Sequence, residues 1–416
     1  MGYSYDGIDT RLEHSFLNLT TRSKDAMPFH PVTFFLSCLM VSFLAISPAH
    51  AFLGKDKIPP LKTEAHLSEA DFNAKTSLIE ETPLQNKDMA FHVRLPNGWV
   101  KLNSDEGKSE VASDLFRLLS AYTSPPRLEH RSILRVKSID LTSLITVDDW
   151  FIGYMLQMGF SVEGMTLISP RRVEAQYTLF EEGEPYVTRA VVTMTGSKII
   201  LAEYLVHQEM YAAEKDIQIL AMSGFGLSTP NNKLPIVMKT FSFVDIAKFD
   251  YPSNWLTYTP GITEINRMDA SVLNTISTHL LTAGSAVNEL QMTGRIDVSV
   301  VSKTLGTTIG NEIATLNKGL KDRHYKLGKY IETIKTIELN SNIKSSRIDV
   351  YEMESEVQKI AGYEYWVAVL QTNSRYYLVR LITVSRGENF VKWAQNVETY
   401  RVLLNSLSPA SNQSAY

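Results

Sequence analysis

The sequence predicts an α+β chain of two tandem similar domains, each an antiparallel sheet flanked by helices. Three observations predict it. A strand ending in Pro-x-x-Trp occurs twice, as Phe91-His-Val-Arg-Leu-Pro96-Asn-Gly-Trp99 and as Phe249-Asp-Tyr-Pro252-Ser-Asn-Trp255. From that strand on, each copy reads strand, helix, strand, helix, three meandering strands, helix. The meandering strands are joined by short turns, Glu182-Gly-Glu-Pro and Thr195-Gly-Ser in the first copy and Thr372-Asn-Ser in the second, which makes neighbouring strands antiparallel.

In each opening strand the Pro ends the ladder because it offers no N–H, Asn with Gly or Ser makes the turn, and the Trp returns its ring to the core. In copy one, Leu115, Leu118 and Leu119 fall on one face of a helical pattern over Val111–Tyr122. A strand follows at Ser132–Ile139. A helix then runs to Met158, with Thr146 as N-cap and the acids Asp148 and Asp149 in its first turn. Strands are predicted over Val173–Phe180, Tyr186–Met194 and Lys198–His207, then a helix over Ala212–Met222 and a short closing strand at Phe241–Phe243. Copy two repeats this with a helix over Asp269–Leu281, a strand over Arg295–Ser302, a helix over Thr307–Lys321, strands over Arg347–Met353, Gly362–Gln371 and Arg375–Ser385, and a helix over Glu388–Leu404. That last helix carries Phe390, Trp393, Val397, Tyr400 and Leu404 at helical spacing. The connection Arg323–Lys335 reads as an insertion that copy one lacks. The boundaries are therefore an N-terminal extension and signal over 1–51, a mostly irregular linker over 52–88 with a short helical stretch at Ser68–Ala74, domains over 89–245 and 246–408, and a tail over 409–416.

This pattern resembles the PsbP-like (Ran-binding-protein-like) α+β fold. Members open with a Phe-x-x-Pro-x-x-Trp-like strand and turn and end on a long helix near a Ser-Phe or Ser-Leu. Phe249, Pro252 and Trp255, with Asn405-Ser406-Leu407, match it; copy one departs, with two extra residues between Phe91 and Pro96 and a shorter closing helix. The resemblance implies a binding or assembly scaffold. It brings no catalytic residue with it, because the fold group shares no active site.

Composition excludes several classes. The chain has 416 residues, 44% hydrophobic and 21% charged, enough to bury real cores. With 41 Lys+Arg against 45 Asp+Glu the net charge is −4, which argues against a nucleic-acid coat. A single cysteine rules out a disulfide framework and multi-Cys metal centres.

From Pro28 to Gly54 there is no charged residue, and the apolar run Val32–Ile46 ends in Ser47-Pro-Ala49-His-Ala51. That is a secretory signal with an Ala-x-Ala cleavage site. The run is short against the roughly 20 residues a bilayer span needs; a retained anchor is the other reading. The start is either Met1, with Arg22 and Lys24 as the positive flank, or Met27. Cys38 lies inside the run, with Phe35 where a lipobox wants an aliphatic residue, so it reads as a signal-core residue.

No catalytic constellation stands out. None of the nine histidines pairs at i, i+4, and His130 beside Glu129 reads as a turn residue. Gly224-Phe-Gly226 and Gly306-Thr-Thr-Ile-Gly310 are fragments of phosphate loops only. Asp148-Asp149 serves the helix dipole, and Glu181-Glu182-Gly-Glu184 is a hairpin tip. The basic stretch Lys318, Lys321, Arg323, Lys326, Lys329 and Lys335 has two readings: a docking patch for a partner, or a solvated helix end and loop. Gly-rich and metal motifs being absent, the expectation is no cofactor and no metal.

These features give an exported, non-enzymatic binding or assembly protein of the bacterial cell envelope, periplasmic or extracellular. Its partner is a protein or envelope polymer, not nucleic acid, and a membrane only if the N-terminal segment is retained. Its contact surfaces are the basic residues Lys318, Lys321, Arg323, Lys326 and Lys329 and the groove between the domains. The alternatives are a hydrolase with its site in the inter-domain cleft and a membrane-anchored envelope component. Mature protein is expected to begin at Phe52. N-terminal sequencing checks this, and recovery of chains that keep residues 28–50 would support the anchor instead.

Overall fold

The fold is described from a computed structural model, covering residues 58–103, 115–260, 266–282, 285–304, 306–322, 324–334, 339–341, 343, 345–355 and 362–409, with side chains of 276–291, 345 and 355 left aside. The first half contains α1 (Glu69–Lys75), β1 (Thr76–Glu81), β2 (Phe91–Pro96), β3 (Val100–Lys101), β4 (Arg117–Thr123), β5 (Ile133–Asp140), α2 (Val147–Met158), β6 (Val162–Ser169), β7 (Arg172–Glu181), β8 (Glu184–Thr195), β9 (Lys198–His207), α3 (Gln208–Ser223) and β10 (Gly226–Leu227). The second contains β11 (Met238–Phe243), β12 (Ala247–Pro252), β13 (Leu256–Tyr258), β14 (Arg267–Thr282), β15 (Ser285–Ser302), α4 (Ile309–Asp322), β16 (Tyr325–Ile334), β17 (Ser345–Ser355), β18 (Tyr363–Gln371), β19 (Arg375–Val384), α5 (Phe390–Ser406) and β20 (Ser408–Pro409).

Two seven-stranded antiparallel sheets result, in the orders β3-β4-β5-β9-β8-β7-β6 and β13-β14-β15-β19-β18-β17-β16. Each has a three-stranded companion, β1-β2-β10 and β11-β12-β20. The second half thus repeats the first strand for strand, and the chain is α+β. Both opening strands end at their proline, and the same turn bond follows each: Trp99 N–H donates to Pro96 O at 3.3 Å, and Trp255 N–H to Pro252 O at 3.0 Å.

The central strands are buried on both faces; β9 reads as a near-continuous apolar run, whereas β5 and β15 alternate apolar residues with charged or polar ones. On one face of the first sheet, Leu134, Val136, Ile200, Ala202 and Tyr204 pack under α3 and β2, and Trp99 meets Tyr204 edge to face. On the other, Val173, Ala175, Val192, Ile199 and Leu201 pack under Val147, Phe151 and Met155 of α2. Thr146 caps α2 by accepting from Asp149 N–H at 3.3 Å, and Gly159 ends it in the left-handed region at φ 71°, where a Cβ is costly.

In the second half Trp255, Val272, Val298, Val379, Trp393 and Tyr400 share one core beneath α5. Inside it, Glu364 is buried and accepts from the indole Nε1 of Trp366 at 3.0 Å and of Trp393 at 2.8 Å. The same core takes in Ile145 and Trp150 of the first half. There α2 meets α5, and a Cβ on Gly153 would lie 2.7 Å from Val391 Cγ2.

Several expectations need correction. The helix expected over Val111–Tyr122 is strand β4 from Arg117; residues 104–114 lie outside the described set. Three leucines at helical spacing there were outweighed by pairing along β5, whose ladder β4 completes. The helix expected over Asp269–Leu281 is β14, in which Ala270 and Val272 alternate inward and the Thr, Val and Ile content suits a strand. The linker over 52–88 holds α1 and β1, and β1 pairs with β2 along its whole length. The supposed insertion at Arg323–Lys335 is strand β16, and copy one has its counterpart in β6. Among the described residues no helix is long and apolar enough to cross a membrane.

Gly153→Ala would ordinarily stabilise an exposed helix interior by about 0.5–1 kcal/mol. Here it is expected to cost about 1–3 kcal/mol through overpacking. Val391→Ala in the same chain should recover much of the loss, and chemical denaturation of the single and double variants measures both.

Candidate functional site

The described basic residues among those picked out by sequence lie on α4 and β16. In α4, Glu312, Leu316 and Leu320 face inward at i, i+4, i+8, which turns Lys318 and Lys321 outward. Arg323, like Lys335, lies outside the described residues. His324 adopts φ 60° and donates its N–H to Lys321 O at 2.9 Å, turning the chain into β16. Lys326 and Lys329 are exposed on β16, and Lys326 pairs with Glu354 at 3.0 Å. Lys321 and Lys326 border a hollow of about 260 Å³ floored by Leu320, Tyr325 and Leu327. Lys329 borders a second hollow of about 560 Å³ with Tyr330, Ile331, Tyr363, Glu364 and Arg386.

Both hollows flank an outermost strand, and the first half shows what such an edge can hold. The two edges match residue by residue. Gly159 and His324 both take positive φ after their helices. Val162 pairs with Tyr177 and Leu327 with Met353, and in each ladder the register then slips by one, so that Met165 and Tyr330 occupy the same place. Each edge carries a second slip further on. Such bulges twist an edge away from uncontrolled pairing.

In the first half this edge is occupied. Met165 N–H donates to Pro59 O at 2.9 Å, Leu61 N–H to Thr166 Oγ1 at 3.1 Å, and Arg189 to Lys62 O at 2.9 Å. Leu61 is buried, and a Cβ on Gly164 would sit 3.1 Å from its Cα. At the matching place of the second half stand Lys329, Tyr330, Ile331 and Glu364, the walls of the larger hollow.

The sheet faces under α2 and α4 carry charges that are matched internally. Arg135 pairs with Glu181, Lys137 with Glu203 at 2.6 Å, and the Tyr177 hydroxyl donates to Glu203. Burial pushes Glu203 up, but Lys137, helped by Tyr177 and Arg135, holds its carboxyl below the ordinary value. Burial and the Glu203 charge raise Tyr177. In the second half, Arg267 pairs with Asp269 at 3.0 Å and Arg295 with Asp297 at 2.8 Å, while Arg380 reaches Ser299 at 3.0 Å. Glu181 is therefore half of an ion pair rather than a solvated hairpin tip. Where α2 meets α5, the junction named as a groove is filled by apolar side chains. Ala49, Ala51 and Cys38 lie outside the described residues.

Sequence reading missed one cluster. His130, His207 and Glu209 come together at the start of α3, although no spacing links them. Their convergence follows from the β5–β9 pairing, and only the residue types, not their order, could have hinted at it.

No family model matches the chain, and no curated protein matches it in sequence. Among solved structures it is similar to cyanobacterial PsbP (CyanoP) from Synechocystis, at 13% identity and a TM-score of 0.27, over 40% of this chain and 98% of that one. It is similar also to the Ran-binding protein Mog1p of Saccharomyces cerevisiae, at 9% identity and a TM-score of 0.26, over 36% of this chain and 95% of that one. The likeness is one of architecture.

A carboxyl held lower in the folded than in the unfolded chain contributes stability that is fully present above the unfolded value and is lost as pH falls through the folded one. Glu203 therefore contributes at neutral pH, and its share is lost below about pH 4.3. Lys137→Met leaves this carboxylate buried without its main partner. It is expected to cost about 3–5 kcal/mol near neutrality, a cost that shrinks as pH falls and the unpaired carboxyl takes up a proton, as thermal midpoints measured across that range will show.

Proposed function

We propose that this protein is a non-enzymatic binding protein that seats an extended segment of a partner protein along β16, with an apolar side chain in the hollow beside Tyr330 and Ile331. One observation carries the reading. The same edge in the first half already holds such a segment, Ile58–Lys62, with Leu61 as its anchor, while the matching place in the second half is a hollow of about 560 Å³. An extended segment gains main-chain hydrogen bonds from an edge and its specificity from side-chain hollows. Lys321, Lys326 and Lys329 border the approach and favour acidic residues flanking the apolar anchor. The internally matched charges under α2 and α4 favour a scaffold over a reactive cleft. The signal-like run before Phe52 supports export to the envelope, where this binding would take place.

The test is selection of displayed random peptides against the full chain. Enriched sequences are expected to share one apolar residue in an acidic, extended context. Ile331→Asp with Lys329→Glu should weaken them at least about tenfold, equivalent to about 1.4 kcal/mol, without moving the thermal midpoint. Failure to enrich any sequence, or enriched peptides that bind the double variant unchanged, would refute the reading.

A further inference from the structure

The start of α3 gathers two imidazoles and two carboxylates from three separate parts of the first half. His207 ends β9 and caps α3: its Nδ1 accepts from Glu209 N–H at 3.4 Å, and its side chain is only 3% exposed. Its Nε2 lies 3.3 Å from Glu184 Oε2, at the tip of the β7–β8 hairpin. The two contacts together define the tautomer, with the proton on Nε2 and a lone pair on Nδ1. Against this ring lies His130, with centroids 3.5 Å apart and planes inclined by 10°. His130 sits on a tight turn. Its N–H donates to Arg127 O at 2.9 Å, Arg127 N–H returns a bond to His130 O at 2.8 Å, and Leu128 and Glu129 between them take positive φ. The Nε2 of His130 is 4.0 Å from Glu209 Oε2. One ligand atom from each of His130, His207 and Glu209 falls within 4.8 Å of the other two.

Imidazole nitrogens beside a carboxylate are the borderline donor set that Zn²⁺ takes. The geometry points to a zinc site formed by His130 Nε2, Glu209 and His207 Nδ1, the last giving up its long 3.4 Å bond from Glu209 N–H to take the ion, with Glu184 accepting from His207 Nε2–H as the carboxylate that orients it. A carboxylate behind a ligating histidine is the usual outer partner of such a ligand. Donor atoms around a tetrahedral zinc stand roughly 3.4 Å apart, given metal–ligand distances of about 2.0–2.1 Å. The cluster must therefore close by about an ångström, and its parallel rings must open so that their nitrogens aim at one point. The parts able to do this are the outer ones: Glu209 is 67% exposed and His130 25%, whereas His207 is buried and keeps its Glu184 contact. The fourth position faces solvent along Glu209 and is left for water.

Isothermal titration of the untagged full chain with zinc chloride, after chelator treatment, tests this. One zinc per chain with micromolar or tighter affinity is expected. His130→Asn and Glu209→Gln, both on the solvent side, should each weaken it at least about tenfold, and Glu184→Gln by about tenfold through loss of orientation. X-ray absorption should count two imidazole ligands in the native chain and in Glu184→Gln, and one in His130→Asn. The exposed His324→Asn should change nothing, and thermal midpoints without zinc confirm that each variant is folded. Absence of saturable binding, or affinity that survives the paired His130→Asn and Glu209→Gln changes, would overturn the assignment.

Discussion

The approach of α2 to α5 is the constraint on which the arrangement of the two halves depends. Each seven-stranded sheet has one apolar face and one that mixes apolar side chains with paired charges, and each face is met by a helix. α3 and α5 cover one face of their sheets, and α2 and α4 meet the other. α2 does more than its counterpart: it lies on its own sheet through Phe151 and Met155 and on the second half through Trp150 and Gly153. Only a residue without a side chain allows Val391 so close. The second half's core thereby takes in Leu141, Ile145 and Trp150 of the first half, which also keeps two cores of its own.

With the frame held in this way, differences between the copies become informative. Burying helices on both faces leaves the outer strands as the places where backbone remains accessible, and edges invite pairing. The first half covers its edge with the lead-in chain from Ile58 to Lys62, which is why that stretch is ordered although its composition is that of a linker. The second half has the corresponding strand, the same first register slip and a positive-φ entry at His324, but hollows among its described residues where the first half has its covering segment. Among the described residues the two copies thus differ at this edge in what covers it.

Buried charge follows the same logic. Lys137 and Glu203 pair across the adjacent strands β5 and β9, whereas Arg135 on β5 reaches Glu181 at the end of β7 across the two strands between them. Cross-strand neighbours are brought within a few ångströms by register alone. Charged residues on a core strand are consistent with the fold because the ladder places opposite charges together. Glu364, held by two indoles and by the Arg386 backbone N–H at 3.1 Å, shows the same principle with neutral donors.

Much of this was legible in the residues. The paired Pro-x-x-Trp turns, the hairpin turns around Gly183 and Gly196, the Thr146 cap and the apolar spacing of α5 are local signals, and local steric and hydrogen-bonding preferences decide them. β4 and β14 were not legible, because leucines at helical spacing and an alternating polar strand carry weak local signals that pairing partners overrule. β16 read as a loop, since its exposed lysines suit an edge strand as well as a turn. The lysines were visible as residues but not as the rim of two hollows, and the His130–His207–Glu209 cluster was invisible, since its members are joined by strand pairing and not by spacing. The sequence by itself determined the fold class, the duplication and most elements, because these rest on interactions between near neighbours in the chain. Which edge is covered, which helix bridges the halves and which side chains converge were decided by the tertiary structure alone, because each depends on contacts between residues far apart in sequence.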